Sequence, residues 1–247
     1  MARFFVEKVF DGEEYITLSA KESNHANNVL RLMPGERIII FDNYSNEFDA
    51  EIVEHSKQGT LARIINKVNN EYTQKLNITL FQAVPKFDKM EYIIQKCIEV
   101  GVNNFVPVLT DRTIVRFDDE TTAAKRVERW MRISLETIKQ CRGNVVPRIS
   151  MPVKFNDAVK MGKAQDLCLI PYEKESIATL RGELSKAGKS IMNIGVYIGP
   201  EGGFSEGEIE YAAENGIMPI SLGNRIFRTE TAGLVVASIL FYEFGEI

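Results

Sequence analysis

From residue 76 onward the chain alternates strand-like and helix-like segments in strict succession, and this rhythm narrows the possible folds more than any other feature. LNITLFQAV (76–84), NNFVPVLT (103–110), DLCLIPY (166–172), NIGVYIGP (193–200) and MPISLG (218–223) are apolar runs of strand length. Between and after them lie KMEYIIQKCIEVG (89–101), TTAAKRVERWMRISLETIKQC (121–141), SIATLRGELSKAG (176–188), SEGEIEYAAENG (205–216) and ETAGLVVASILFYEF (230–244), which read as helices. Near-continuous apolar strands joined by helices imply a mostly parallel sheet buried on both faces, an α/β architecture.

The first seventy residues obey a different rhythm. ERIIIFD (36–42), NEFDAEIVEH (46–55) and TLARIINKV (60–68) are short, β-branched and bounded by turn residues, as in a small β-barrel. One helical stretch is expected between Ser19 and Leu32, with Ser19 or Ser23 as N-cap and Pro34-Gly35 as its stop. Polar NNEYTQK (69–75) reads as a linker, which divides the chain into 1–72 and 73–247.

Charge and cysteine content limit the chemistry. Net charge is −4, carried by the first 73 residues, so there is no general basic coat. Residues 125–148 are the exception, with seven basic groups against Glu128 and Glu136. At about 100° per residue, Trp130, Cys141, Ser134, Val127, Ile138, Met131 and Leu135 share one side of the long helix. Lys125, Arg129, Arg132, Glu136 and Lys139 share another, a mostly basic strip continued by Arg142 and Arg148. Cys97, Cys141 and Cys168 are an odd set without a CxxC, which fits reduced thiols packed in the core of a cytoplasmic protein. With His25 and His55 they form no familiar zinc spacing, so no metal is expected. The charged start excludes a secretory signal, and the longest apolar run, 234–241, is too short to span a bilayer.

In open α/β sheets ligands settle beyond the carboxyl ends of the strands. Three successive strand ends here are LIPYE (169–173), IGPEGGFSEGE (198–208) and SLGNRIFRTETA (221–232). Gly199, Gly202 and Gly203 let backbone approach a ligand closely, and Pro200 stiffens the turn. Ser205 with Glu208 forms a capping box, and Thr229 or Thr231 is the expected cap of the last helix. The loop carries Glu201 and no lysine, and neither GxGxxG nor the P-loop ending is present. It suits a neutral or cationic ligand held by main-chain atoms, such as S-adenosylmethionine, better than a phosphate.

These stretches resemble the C-terminal signature of the 16S rRNA (uracil-N3)-methyltransferases, the RsmE-type branch of the SPOUT methyltransferases. RFFV (3–6), HANNVLRLMPGE (25–36), AVPKFDKMEYIIQKCIEVGV (83–102) and ISLETIKQCRGNVVPRI (133–149) are similar as well, so the likeness covers nearly the whole chain. Phe227 and Thr137 depart from the usual Leu and Ala. The resemblance implies a PUA-like RNA-binding barrel followed by a SPOUT domain with a deep trefoil knot, a homodimer, S-adenosylmethionine as cofactor, and 16S rRNA in the 30S subunit or a precursor as partner. It implies cofactor contacts at Ile170, Pro171, Gly199, Glu201, Gly202, Ser221, Leu222, Gly223, Ile226, Arg228 and Thr231, with the adenine beside Leu222 or Ile226.

For the chemistry, a guanidinium stabilises the uracil anion formed when the N3 proton leaves. Arg228 is the first candidate and Arg225 the second, with Glu201 or Glu230 as proton acceptor. Candidate RNA contacts are Arg3, His25 and Arg31 in the small domain, then Lys86, Lys89, Arg112, Arg116, Arg129, Arg132, Lys139 and Arg142. Two rival readings are a SPOUT enzyme acting on a ribose 2′-hydroxyl of rRNA or tRNA, and a non-catalytic RNA-binding assembly factor.

Overall fold

The computed structural model describes residues 1–68, 74–117, 119–143, 145–188 and 190–247. They form two compact units, Met1–Thr73 with Ile138–Val146, and Gln74–Thr137 with Pro147–Ile247. Most of the expected linker, 69–73, lies outside the described residues.

The first unit is built on a five-stranded sheet of order β1-β3-β4-β5-β2. Its strands are β1 (Ala2–Phe5), β2 (Tyr15–Thr17), β3 (Arg37–Phe41), β4 (Glu47–Ser56) and β5 (Gly59–Val68). Pairing is antiparallel except between β1 and β3. Phe4, Ile38, Ile40, Ala50, Ile52 and Ala62 fill its core, in the alternating pattern a one-sided sheet demands. Ser19 caps the short helix α1 (Ala20–Asn24), its hydroxyl accepting from the Glu22 N–H at 3.3 Å. A wider helical turn, His25–Val29, follows.

The second unit holds a parallel sheet of order β12-β10-β11-β6-β7-β8, with one more short strand, β9, also on β7. The strands are β6 (Asn77–Ala83), β7 (Asn104–Leu109), β8 (Arg148–Ile149), β9 (Val153–Lys154), β10 (Leu167–Pro171), β11 (Asn193–Ile198) and β12 (Met218–Ile220). The helices are α2 (Lys89–Glu99), α3 (Glu120–Cys141), α4 (Phe155–Gly162), α5 (Leu180–Lys186), α6 (Glu206–Glu214) and α7 (Thr229–Glu243). All described pairs in this sheet are parallel, as the intervening helices require.

Helices cover both faces. Phe81 stacks on Tyr197 with centroids 4.2 Å apart, in a cluster with Phe155, Ala158 and Val159 of α4 and Ile209 and Ala212 of α6. On the other face α7 comes close enough for a side chain at Gly233 to touch Leu80 and Ile198. Each such fully buried apolar side chain stabilises the fold by roughly 1.5–3 kcal/mol.

The helical-wheel reading of α3 needs two corrections. Trp130, Ser134 and Ile138 are buried as expected, but Cys141 is exposed, because it ends the helix beyond the last buried position, Ile138. Lys139 does not extend the basic strip. Its side chain is 11% exposed and ion-paired with Glu22 of its own unit.

Candidate active site

Because the sheet is parallel, the turns after β10, β11 and β12 emerge at one edge, and those strands are neighbours. The turns are tied together. Ile170 lies opposite Pro219 and Pro171 opposite Ile220, and the pairing continues beyond the strands where Thr179 bridges Ser221. The Ser221 N–H donates to Ala178 O at 2.7 Å, and the Leu180 N–H to Ser221 O at 3.3 Å. The turn after β11 touches its neighbour too, since a side chain on Gly203, at φ 68°, would meet the Glu173 carboxylate at 3.1 Å. Its other end is held by Thr229, whose hydroxyl donates to Gly199 O at 2.6 Å and accepts from Gln82 Nε2 at 3.0 Å.

Two further loops grip the 199–205 turn from the far side. The Lys86 N–H donates to Glu201 Oε1 at 3.2 Å, and Lys89 Nζ donates to the same oxygen at 3.1 Å. Lys89 also pairs with Glu230 at 3.3 Å, so one ammonium holds a carboxylate on each of two turns. After β7, Arg112 Nη1 donates to Gly202 O at 2.7 Å, and Asp111 accepts from the Ser205 hydroxyl at 2.7 Å. The Ser205–Glu208 capping box forms as expected and starts α6.

Electrostatics keep the Lys89 staple ionised. Its hydrogen bond to Glu201 raises the Lys89 pKa above the usual lysine value. Desolvation is the largest single influence on Glu201 and pushes its pKa up. It is outweighed by the loop's own backbone N–H, Lys89 and the Lys86 N–H, which together hold the carboxyl below its usual range. A carboxylate with a lowered pKa and two donors already on it is a poor proton acceptor. Glu230 shares the same ammonium in an ion pair at 3.3 Å, its Oε2 buried without a hydrogen bond.

The expected site residues thus fall into groups. Pro171, Gly199, Glu201, Gly202, Ser221, Leu222, Gly223, Ile226, Arg228 and Thr231 all sit on the joined turns or the first turn of α7. Ile170 is fully buried in the core cluster, leaving only its backbone for a ligand. Arg225 and Arg228 are exposed, and no ion pair holds Arg228 among the described residues. The helix cap differs from expectation: Arg228 occupies the N-cap position without a side-chain bond, and Thr229 turns inward to Gly199 instead.

Several candidate RNA contacts are committed elsewhere. Arg3 is in a nearly buried ion pair with Glu47 and also donates to Gly143 O at 2.9 Å. Lys139 is buried against Glu22, Lys89 holds the two turns, and Arg112 holds Gly202. Arg116 is turned back onto Thr113 O. Arg129 pairs with Glu91 at 2.7 Å, which removes part of the strip's positive field. His25 is half-buried, its ring in an edge-type contact with Phe4 at 6.2 Å between centroids. Arg31, Arg132 and Arg142 are exposed. Sequence reading missed Gln82 and Asp111. A lone glutamine in the apolar run LNITLFQAV was the available signal for the first.

The Lys89 staple carries an expected result. Lys89→Met should weaken binding of the turns' ligand by about tenfold, reduced from a buried pair's worth because both partners are about a third exposed. The lowered Glu201 pKa keeps the pair intact above the ordinary glutamate value near 4.3. The raised Lys89 pKa keeps it intact up to and past the ordinary lysine value near 10.4. Affinity of the parent protein, measured by calorimetry, should therefore be level from about pH 6 to 9, and fall in acid as Glu201 protonates and in strong alkali above the raised Lys89 value.

A parallel sheet with three turns joined at one edge, two of them glycine-bearing, together with a separate small β domain, defines a class, and family comparison agrees. Residues 72–241 match the RNA methyltransferase domain family and residues 18–73 the RNA methyltransferase PUA domain family. More narrowly, the chain belongs to the ribosomal RNA small subunit methyltransferase E family. It is 31% identical to the Bacillus subtilis member over 98% of this chain and 97% of that one. The Mesomycoplasma hyopneumoniae member is 30% identical over 95% and 96% of the two chains. Among solved structures, ribosomal RNA small subunit methyltransferase E from Neisseria gonorrhoeae, bound to S-adenosyl methionine, superposes with TM-score 0.87. It is 30% identical, with 98% of this chain and 97% of that one covered.

Proposed function

We propose that the protein methylates N3 of a specific uridine in 16S rRNA, using S-adenosylmethionine bound at the joined turns. The observation that carries this reading is the fastening of the turns after β10, β11 and β12 to one another at one edge of the sheet.

The residues fit this cofactor. Gly203, at φ 68°, is a close approach in which an added side chain would press on the Glu173 carboxylate, and Gly202 lies against Arg112 at ordinary contact distance. Glu201 and Glu230 share a single ammonium, leaving one negative charge uncompensated by Lys89, which suits a sulfonium and opposes a phosphate. Main chain of residues 170–171, 199–202 and 221–226 would hold it, with Leu222 or Ile226 against the adenine. When bound, it supplies an activated methyl group. The chain's own part is alignment and charge. Arg228, exposed and without an ion pair among the described residues at the start of α7, would face the uracil oxygens with two parallel N–H donors and stabilise the N3 anion. The N3 proton leaves to solvent, since both nearby acids are held by Lys89.

A homodimer with the family's knotted topology completes the proposal. Insertion of β11 between β10 and β6, with β12 outside β10, supports such a chain path. On α7, Ile239 and Tyr242 are exposed beside half-buried Leu234 and Val235, an apolar stripe suited to a second copy. No helix among the described residues is long and apolar enough to cross a membrane, in keeping with a cytoplasmic enzyme on ribosomal RNA.

Calorimetry with S-adenosylmethionine, followed by mass mapping of small-subunit rRNA from cells with and without the protein, tests the whole. The expected outcome is saturable binding and one uridine that loses a base methyl group in the deleted strain. A methyl found on ribose would move the protein to the 2′-O reading, and absence of binding would leave an RNA-binding assembly factor.

A further inference from the structure

Phe87 bears two unfavourable features at once. Its ring is 86% exposed, and its backbone sits at φ 57°, the left-handed region that a bulky side chain rarely adopts. Among the described residues no ring stacks on it and no cation lies over it. The fold compensates neither feature, yet it holds the residue firmly in place. Lys86 just before it donates its N–H to Glu201, and Lys89 two positions later donates to the same carboxylate and pairs with Glu230. The turn presenting the ring is thus fastened on both sides to the loop that carries Gly199, Gly202 and Gly203. Strain kept in place by surrounding bonds is a feature of ligand clamps.

A bare aromatic plate beside the cofactor edge, between Lys86 and Asp88, has the chemistry of a stacking platform for an unpaired base. A nucleotide brought to a methyl donor leaves its own stack and needs a new surface on which to lie. We infer that Phe87 is that surface: a base of the substrate RNA strand, at or next to the target uracil, stacks on its ring, while the half-buried Lys86 side chain lies beside the phosphate backbone. This rests on the methyltransferase reading above and adds a substrate-positioning residue to it.

Phe87→Gly tests the idea, because it removes the ring and at the same time relaxes the backbone. Its thermal midpoint and its affinity for S-adenosylmethionine should match or exceed the parent's, while kcat/KM for transfer to small-subunit rRNA falls about ten- to hundredfold. Phe87→Trp should keep most of the rate. Its indole, the only one besides buried Trp130, should lose fluorescence as a 16S rRNA fragment is added. Unchanged kcat/KM in Phe87→Gly overturns the platform, as does an indole that RNA leaves unquenched. Loss of dimer in Phe87→Gly with kcat/KM intact also overturns it and returns the ring to a subunit contact. Failure of the parent protein to bind S-adenosylmethionine would defeat the enzyme reading separately, since the quenching measurement needs no methyl transfer.

Discussion

Arg228→Ala should lower methyl transfer about 10²–10³-fold, the usual cost of removing one preorganised donor to a developing anion. The loss should fall on kcat, because the guanidinium acts on charge that appears only as the N3 proton leaves. Stability should hardly move. Arg228 is exposed, supplies no side-chain cap to α7, and has no ion pair among the described residues. Arg228→Lys should recover only part of the rate, since an ammonium keeps the charge but not the two-pronged geometry. Raising the pH should narrow the gap between parent and variant, as uracil then loses its proton with less help. A variant with full turnover at neutral pH would take the role from Arg228 and pass it to Arg225.

Thr229→Val should act mainly through stability. The substitution keeps the shape and removes a hydroxyl that accepts from Gln82 and donates to Gly199 O. Gln82 is fully buried, and its Oε1 already lacks a partner, so the variant leaves Nε2 with only its bond to Ala83 O, and one of its N–H groups without an acceptor away from water. The expected cost is about 2–3 kcal/mol, or a melting temperature lower by about 5–10 °C. Cofactor affinity should fall with it, because Gly199 loses its tie to α7. Thr229→Ser restores the hydroxyl and should restore both quantities. If the valine variant melts with the parent, the Gln82–Thr229–Gly199 chain has no structural weight.

The sequence foretold the sheet well because its signals are strong there. Runs such as NIGVYI and NITLFQA are apolar on both faces, which is what a covered parallel strand requires, and Gly101, at φ 115°, closes α2 where expected. β8 and β9, of two residues each, are too short to show any alternation. α4 was passed over although Phe155, Ala158, Val159 and Gly162 have helical spacing, because Lys154 before it makes no cap. At the candidate site the two glycine turns, after β11 and β12, could be read directly, since backbone freedom is written in residue type. The partners of the charged groups could not. Lys89 and Arg112 look like any exposed basic residues after a strand, and only the packing of neighbouring loops turns them toward Glu201 and Gly202. For the same reason Arg3 and Lys139 passed for nucleic-acid contacts, their acids lying 44 and 117 positions away.

The end of α3 and the residues after it, Ile138–Val146, are counted with the small N-terminal unit. That unit is therefore assembled from two separated stretches of polypeptide, and ribosomal synthesis delivers the second long after the first. Until that second stretch is made, Glu22 has no Lys139, and Arg3, already paired with Glu47, lacks its second acceptor at Gly143, so the nascent N-terminal sheet waits with one buried charge unmatched. A fragment ending in the linker would remain in that unfinished condition permanently.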